Sequence, residues 1–401
     1  MGCSVSINDD DDSNVKYNRN ANYQCTLKHY CSGCSKLMFI HVNLYTYPNN
    51  MVVYEQYLNS NPQELDLQNE LGLTPVMMAT LRTSVDQREL RILQILLEKK
   101  PNLELQTKFI AGESRTALMY AAEFSNTLSS MEAVSMLLNA GADVNQQNNN
   151  GDTALMLAVK AMTRKSDVID KLPNRKYRTD SKSEVLPLLV SQDAKVDIVN
   201  YSGHTALSWL VSEISKAQEA EHLIKAARIL LEAGANPNHV LINGESILIL
   251  SAEHCHTENG LAVMQLLLQN RANPNLQNYR GQTALMRAIQ YNYYNDNLEA
   301  IQELLAHKAN ANIWDQRGWL PLTMAISNFD EVKSQSRRSS MSDVGDLTSG
   351  NIQLVRLLLQ HTSLNDIFGQ QVVALARANI DTLPETYRTE LHGLLNEALK
   401  T

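Results

Sequence analysis

Four side chains near the start of the chain are spaced as a metal ion would need them. Cys25, Cys31, Cys34 and His41 form a C-x5-C-x2-C-x6-H run, with His29 among them. Three thiolates and an imidazole suit tetrahedral zinc, and the C-x2-C pair has a usual knuckle spacing. The segment has no second C-x2-C pair. The competing reading is therefore a loosely packed leader with reduced cysteines, in which Leu37 to Val42 begin a strand or helix. Ahead of it, Met1-Gly2-Cys3-Ser4-Val5-Ser6 fits the M-G-x-x-x-[ST] pattern for myristoylation at Gly2, and Cys3 is placed for palmitate. One myristoyl chain anchors only marginally, so Cys3 would have to supply the second. Asp9 to Asp12 oppose this, because near an anionic leaflet each is repelled by about the ~1 kcal/mol that a basic residue gains. An unmodified disordered tail over residues 1–24 is the alternative. Arg337-Arg338-Ser339-Ser340-Met341 matches the substrate pattern of basophilic kinases, and phosphate on Ser340 would add about −1.5 to −2 charges. His254-Cys255-His256 with Glu258 is a weaker metal candidate, since adjacent residues on a helix point in different directions.

None of the G-x-x-x-x-G-K-[ST], H-E-x-x-H, G-x-S-x-G or kinase-type sets occurs. The repeats described next leave only about 50 N-terminal residues for a catalytic module, too few for most, so the chain reads as a non-enzyme. A net charge of −8 and a pI near 5.7 disfavour a nucleic-acid coat. Five cysteines in 401 residues make no disulfide framework, which points to a reducing, cytoplasmic setting. There is no run of 18 apolar residues and no apolar signal segment after Met1, so a membrane is expected only through acylation at Gly2 and Cys3.

Stepping along the chain, one frame recurs. Gly281-Gln282-Thr283-Ala284-Leu285-Met286-Arg287-Ala288 is matched at Gly151 and Gly203, and more loosely at Gly72, Ser114, Gly244, Gly318 and Gly369. The leading glycine suits a turn with φ > 0. The threonine that follows sits where a hydroxyl caps a helix. Ala284, Leu285, Ala288 and Ile289 form one helical stripe, and Leu298, Ile301, Leu304 and Leu305 mark a second helix. No single unit can bury its stripe alone, so stability must come from stacking. Two units carry long loop insertions between their helices, near 160–182 and 330–350. In the first, Lys160, Arg164, Lys165, Lys171, Arg175, Lys176, Arg178 and Lys182 outnumber Asp167, Asp170 and Asp180, a reversal of sign on an acidic chain. It reads as a solvated loop or as a dock for an acidic partner or anionic lipid. The second is Ser-rich and nearly free of apolar residues.

This frame, with runs such as Leu137-Leu138-Asn139-Ala140-Gly141-Ala142-Asp143-Val144-Asn145, resembles the ankyrin repeat, whose T-P-L-H-x-A-like signature lies in a unit of about 33 residues. The asparagine-rich, long-repeat flavour is similar to that of ankyrin proteins of amoeba-infecting large DNA viruses and intracellular bacteria. The resemblance implies an all-α ankyrin-repeat solenoid over 51–401, about eight units plus caps with projecting β-hairpin fingers, after a tail over 1–24 and a cysteine-containing leader over 25–50. It also implies a monomeric scaffold that binds a partner protein on the concave and finger surface, with no cofactor unless the leader holds zinc. Lining up the fingers by their head glycines puts Tyr201 and Tyr279 at one position, with Arg280 and Arg317 just before a head glycine and Trp314 and Trp319 flanking the last finger. Hot spots favour Trp, Tyr and Arg, so these six are the expected recognition patch, the competing role being to brace adjacent fingers. Asn145 resembles the finger asparagines that hydroxylases modify, though a structural hydrogen-bonding role suffices for it. Two further expectations differ in address or assembly: an acylated membrane-tethered scaffold, and an adaptor such as a ubiquitin-ligase substrate receptor using the cysteine-containing N-terminus.

Overall fold

A glycine, a hydroxyl and an apolar stripe set each repeat, and a computed structural model places them. It describes residues 35–43, 50–83, 87–108, 113–125, 129–163, 184–214, 220–291, 297–336, 344–365 and 367–400. Gly2, Cys3, Cys25, Cys31, Cys34, Ser339, Ser340 and the stretch 164–182 of the basic insertion lie outside them. The head glycines Gly72, Gly151, Gly203, Gly244, Gly281 and Gly318 all have φ between +74° and +81°. Two residues after all of these but Gly318, a hydroxyl accepts from the backbone N–H three positions on. Thr74, Thr283 and Ser246 do so at the starts of their helices, as do Thr153 and Thr205. Such caps satisfy donors the helix cannot.

The regular structure of the described residues is mostly helical, with an isolated bridge between Val240 and Ser246. They divide into two compact units, one up to Tyr120 plus 129–143, the other 121–125 plus everything from Val144 on. In the first, α1 (Lys36–Asn43) packs on α2 (Asn50–Ser60) and on α3 (Pro75–Thr80). α4 (Gln87–Glu98) packs on α3 and on α6 (Met131–Asn139), while α5 (Ala117–Glu123) straddles the boundary.

In the second unit the helices form two rows. One row is α7 (Ala154–Thr163), α9 (Ala206–Ile214), α11 (Ile247–Glu253), α13 (Ala284–Gln290), α15 (Pro321–Ser336) and α17 (Ile367–Thr382), each against the next. The other is α8 (Val185–Val190), α10 (Glu221–Glu232), α12 (Glu258–Gln269), α14 (Leu298–Ala306), α16 (Val344–His361) and α18 (Glu385–Ala398). The stripe residues Leu285, Ala288, Ile289, Ile301 and Leu304 are fully buried, so the core runs between the rows. Leu391, Leu394 and Leu395 close it at the far end.

Two features differ from expectation. Asp330–Ser336 extends α15 and Val344–Gly350 opens α16, so most of the Ser-rich insertion is helix, leaving only 337–343 between. Straight-chain Glu331, Lys333 and Gln335 favour helix, and no proline interrupts them. Gly369 lies inside α17 without a positive φ, and a Cβ there would stand 2.3 Å from the carbonyl carbon of Leu364. Its glycine serves a close helix start, and no finger opens at that position.

The leader helix α1 is pinned by carboxylates. Glu64 accepts from the Leu37 N–H at 2.8 Å and from the Tyr57 hydroxyl at 2.6 Å. Burial pushes the Glu64 carboxyl up, but the Tyr57 hydroxyl, the Leu37 N–H, the Ser35 hydroxyl and the Lys36 ammonium outweigh it, and the net value falls below the ordinary one. A depressed carboxylate gives stability that is complete above its unfolded value and lost as pH falls through the folded value. Hydrogen exchange should therefore show the Leu37 amide losing protection as pH drops below the usual carboxylate range. Glu64→Gln should remove that pH dependence.

The finger tips as a candidate protein-binding surface

Five fingers close as tight turns around one acidic or amide side chain. Asn69, Asn148, Asn200, Asn278 and Asp315 stand three residues before a head glycine and are buried. The Oδ1 of each accepts from the N–H two residues on and the N–H four residues on, at 2.8–3.1 Å. The side chain thus does locally what a strand partner would do.

A second set of asparagines ties one repeat of the second unit to the next. Asn145 donates from Nδ2 to the Asp193 carbonyl at 3.1 Å and accepts at Oδ1 from the Lys195 N–H at 2.7 Å. Asn275 does the same with Lys308 and Asn310 at 3.1 and 2.7 Å, and Asn238 and Asn312 repeat the pattern. The structural role expected for Asn145 is thereby seen. An amide can donate and accept at once, which a carboxylate cannot. Asparagine richness here has a mechanical use.

These turns present the predicted patch. Tyr201 and Tyr279 are 73% and 69% exposed, although one face of each ring is occupied. A Cβ on Gly151 would lie 2.9 Å from the Tyr201 ring, and one on Gly244 would lie 2.6 Å from the Tyr279 ring. Each ring therefore rests on the glycine of the preceding finger, where only hydrogen leaves room. Ile242, 65% exposed, sits on Gly203 in the same register. It belongs with the tyrosines and was missed because the sequence was searched by residue type. Its position, two before Gly244, was the available signal.

Arg280 and Arg317 are exposed at the tips, and Arg317 Nε meets Asp315 Oδ2 at 3.2 Å. Trp314 and Trp319 are half-buried at the base of the last finger. The Trp314 carbonyl accepts from Gln277 Nε2 at 3.0 Å, and the Trp319 N–H donates to Asp315 at 2.8 Å. All six patch residues lie in the second unit, four at the tips and two at a base.

Behind the tips runs a row of paired polar groups that sequence reasoning did not find. Asp152 is fully buried, with Lys160 Nζ at 2.6 Å and Asn200 Nδ2 at 2.7 Å. Lys160 also lies 4.6 Å over the Trp209 ring, so it belongs to α7 and not to a solvated basic loop. Glu245 pairs with the buried Arg287. Lys160 is eight residues from Asp152, but Asn200 is 48 from it and Arg287 is 42 from Glu245, distances no local pattern reveals.

Of the proposed zinc ligands only His41 is among the described residues. It is buried in α1, with Nε2 at 2.7 Å from Glu89 Oε2 and its ring edge-on to Tyr54. Among the described residues no group of three His, Cys, Asp or Glu side chains is arranged to hold a metal ion. His254 and His256 rings are 6.2 Å apart, and between them Cys255 points inward, where burial pushes its thiol up to about 12. No described helix is long and apolar enough to cross a membrane.

A family model described as ankyrin repeats (3 copies) matches residues 45–145, 84–183, 214–295 and 254–334, about two thirds of the chain. Among curated proteins, the transient receptor potential cation channel subfamily A member 1 homolog of Caenorhabditis elegans is 32% identical over 143 residues. That stretch is 34% of this chain and 11% of that protein, so the chain matches only a small part of its relative. The ankyrin repeat domain of Bcl-3, a member of the IkappaB family, is 23% identical, with 64% of this chain and 95% of that one covered and a TM-score of 0.48. An ankyrin repeat domain from Acinetobacter baumannii AYE is 21% identical, covering 61% and 96%, with a TM-score of 0.43. Ankyrin repeats are generally protein–protein interaction modules, typically without catalysis. By its matched repeats and its glycine-headed helical pairs, this chain belongs to the ankyrin repeat family.

Proposed function

We propose that the chain is a non-enzymatic scaffold that holds a partner protein on the finger tips of its second unit. The observation that carries this reading is the exposure of Tyr201, Ile242 and Tyr279 in one register. Large apolar side chains at solvent-facing tips are costly to leave uncovered, and aligned ones mark a binding face. Arg280 and Arg317 beside them supply the charged component of such a face. Trp314 and Trp319 extend it toward the base of the last finger. The inner row adds rigidity, because Asp152–Lys160 and Glu245–Arg287 fix the backbone from which the tips project.

The two tryptophans decide between recognition and bracing. With Trp314→Ala/Trp319→Ala, thermal unfolding should shift modestly, by less than the ~3–5 kcal/mol that truncating a core tryptophan costs. Proximity labelling from the full chain in cells should meanwhile lose a discrete set of proteins. A large stability loss with the labelled set intact would instead assign both residues to bracing.

A further inference from the structure

The register of the exposed tips carries information about the shape of what lies on them. Tyr201, Ile242 and Tyr279 each stand two residues before a head glycine and rest on the glycine of the finger before. Gln316 takes the same place over Gly281, its N–H donating to the Arg280 carbonyl at 2.9 Å. One side chain per repeat is therefore offered along a line. The step of that line is the spacing of helices packed within a row, about 8–10 Å.

Few peptide conformations return a side chain to one face at that step. An extended strand does so every ~6.7 Å, and an α-helix turns every 5.4 Å. A polyproline II helix has three residues per turn and rises 3.1 Å per residue, so it repeats at about 9 Å. An α-helix could match with every seventh residue, but helices bind in grooves with walls. Tyr201 and Tyr279 lie on their glycines with about 70% of their surface open, which makes a line of exposed ring faces. Aromatic rings are also the surface on which polyproline II segments dock, because that conformation is preformed and loses little entropy.

Charge narrows the partner further. The chain carries −8 overall, yet its tips are neutral to basic. Across 199–204, 240–245, 277–282 and 314–319 the carboxylates are Glu245, paired with Arg287, and Asp315, which is buried and used by the Arg317 and Trp319 N–H groups and by Arg317 Nε. Arg280 is exposed and makes no ion pair among the described residues. Resting on the binding role proposed above, we infer that the occupant is an acidic, proline-rich segment in the polyproline II conformation. It spans about ten residues, presents an apolar side chain every third position to Tyr201, Ile242 and Tyr279, and places carboxylates toward Arg280 and Arg317.

The test is selection of a random 16-residue peptide library displayed on phage against the full chain, followed by fluorescence anisotropy of the enriched peptides. Enriched sequences should carry proline, an apolar residue every third position and a net negative charge. Their affinity should fall at least tenfold for Tyr201→Ala/Ile242→Ala/Tyr279→Ala, and Arg280→Glu should select against the acidic members. Circular dichroism of both variants checks that the repeats are intact, and Arg280→Glu touches no buried group. Enrichment of peptides with apolar residues every seventh position, of basic peptides, or of none that distinguish wild type from the triple variant would overturn the inference. A cellular partner lost with Trp314→Ala/Trp319→Ala alongside such a result would leave the scaffold role standing and remove only the polyproline II assignment.

Discussion

Lys160→Met will lower the stability of the second unit by about 3–5 kcal/mol, the usual cost of removing one member of a buried ion pair. Asp152 has no exposed side-chain surface, and without Lys160 its carboxylate keeps Asn200 Nδ2 alone. Methionine has nearly the length of lysine and will still lie on the Trp209 ring, where its sulfur packs well. Lost volume will therefore contribute little, and the cost will report the uncompensated charge. Asp152→Asn/Lys160→Met should recover most of the loss, since a neutral amide keeps the Asn200 contact and needs no counter-ion. The double-mutant cycle will give a coupling energy of a few kcal/mol if the pair acts as a unit. Urea midpoints, with hydrogen exchange of the α7 amides, are the measurement. Lys160→Met within about 0.5 kcal/mol of wild type would mean that water reaches Asp152.

That pair also shows where the sequence stops being informative. Gly281 and Thr283 could be read directly, because a positive φ and a helix cap are demands on single residues and their immediate neighbours. Leu285, Ala288 and Ile289 followed from helical spacing for the same reason. Lys160, by contrast, looked like the first residue of a basic loop, and only the stacking of α7 on α9 brings Asn200 to its partner. His41 was read with the cysteines that precede it, and its contact with Glu89, 48 residues away, could not be read from the sequence. The tips were half legible. Tyr201 and Tyr279 stood out as aromatic, while Ile242 is recognised only by its place on Gly203. The Ser-rich stretch after Asp330 was read from composition as a loop, but α15 and α16 continue into it because packed helices upstream and downstream extend the ladder.

The second large effect is expected at Asn278, where local chemistry can be tested against variation that the chain itself contains. Asn278→Ala will leave the N–H groups of Arg280 and Gln282 without their acceptor, and Gln282 is 1% exposed. A buried orphan of this kind costs about 1–3 kcal/mol, with a smaller contribution from the more accessible Arg280. Asn278→Asp should be nearly silent, because Asp315 performs the same task at 2.8–2.9 Å one finger later. Leu241 occupies the equivalent place before Gly244 and accepts nothing through its side chain. There Asn243 Oδ1 takes the Glu245 N–H at 3.1 Å instead. Asn278→Leu should therefore fail alone and improve with Arg280→Asn, which supplies the same substitute acceptor. The readout is hydrogen-exchange protection at the Gln282 amide together with the urea midpoint, since stacked repeats need not unfold in one step. Equal protection in wild type and Asn278→Ala would show that stacking of Tyr279 on Gly244 holds the turn without the amide. The fingers would then be shaped by contact between repeats instead of by the residues within each.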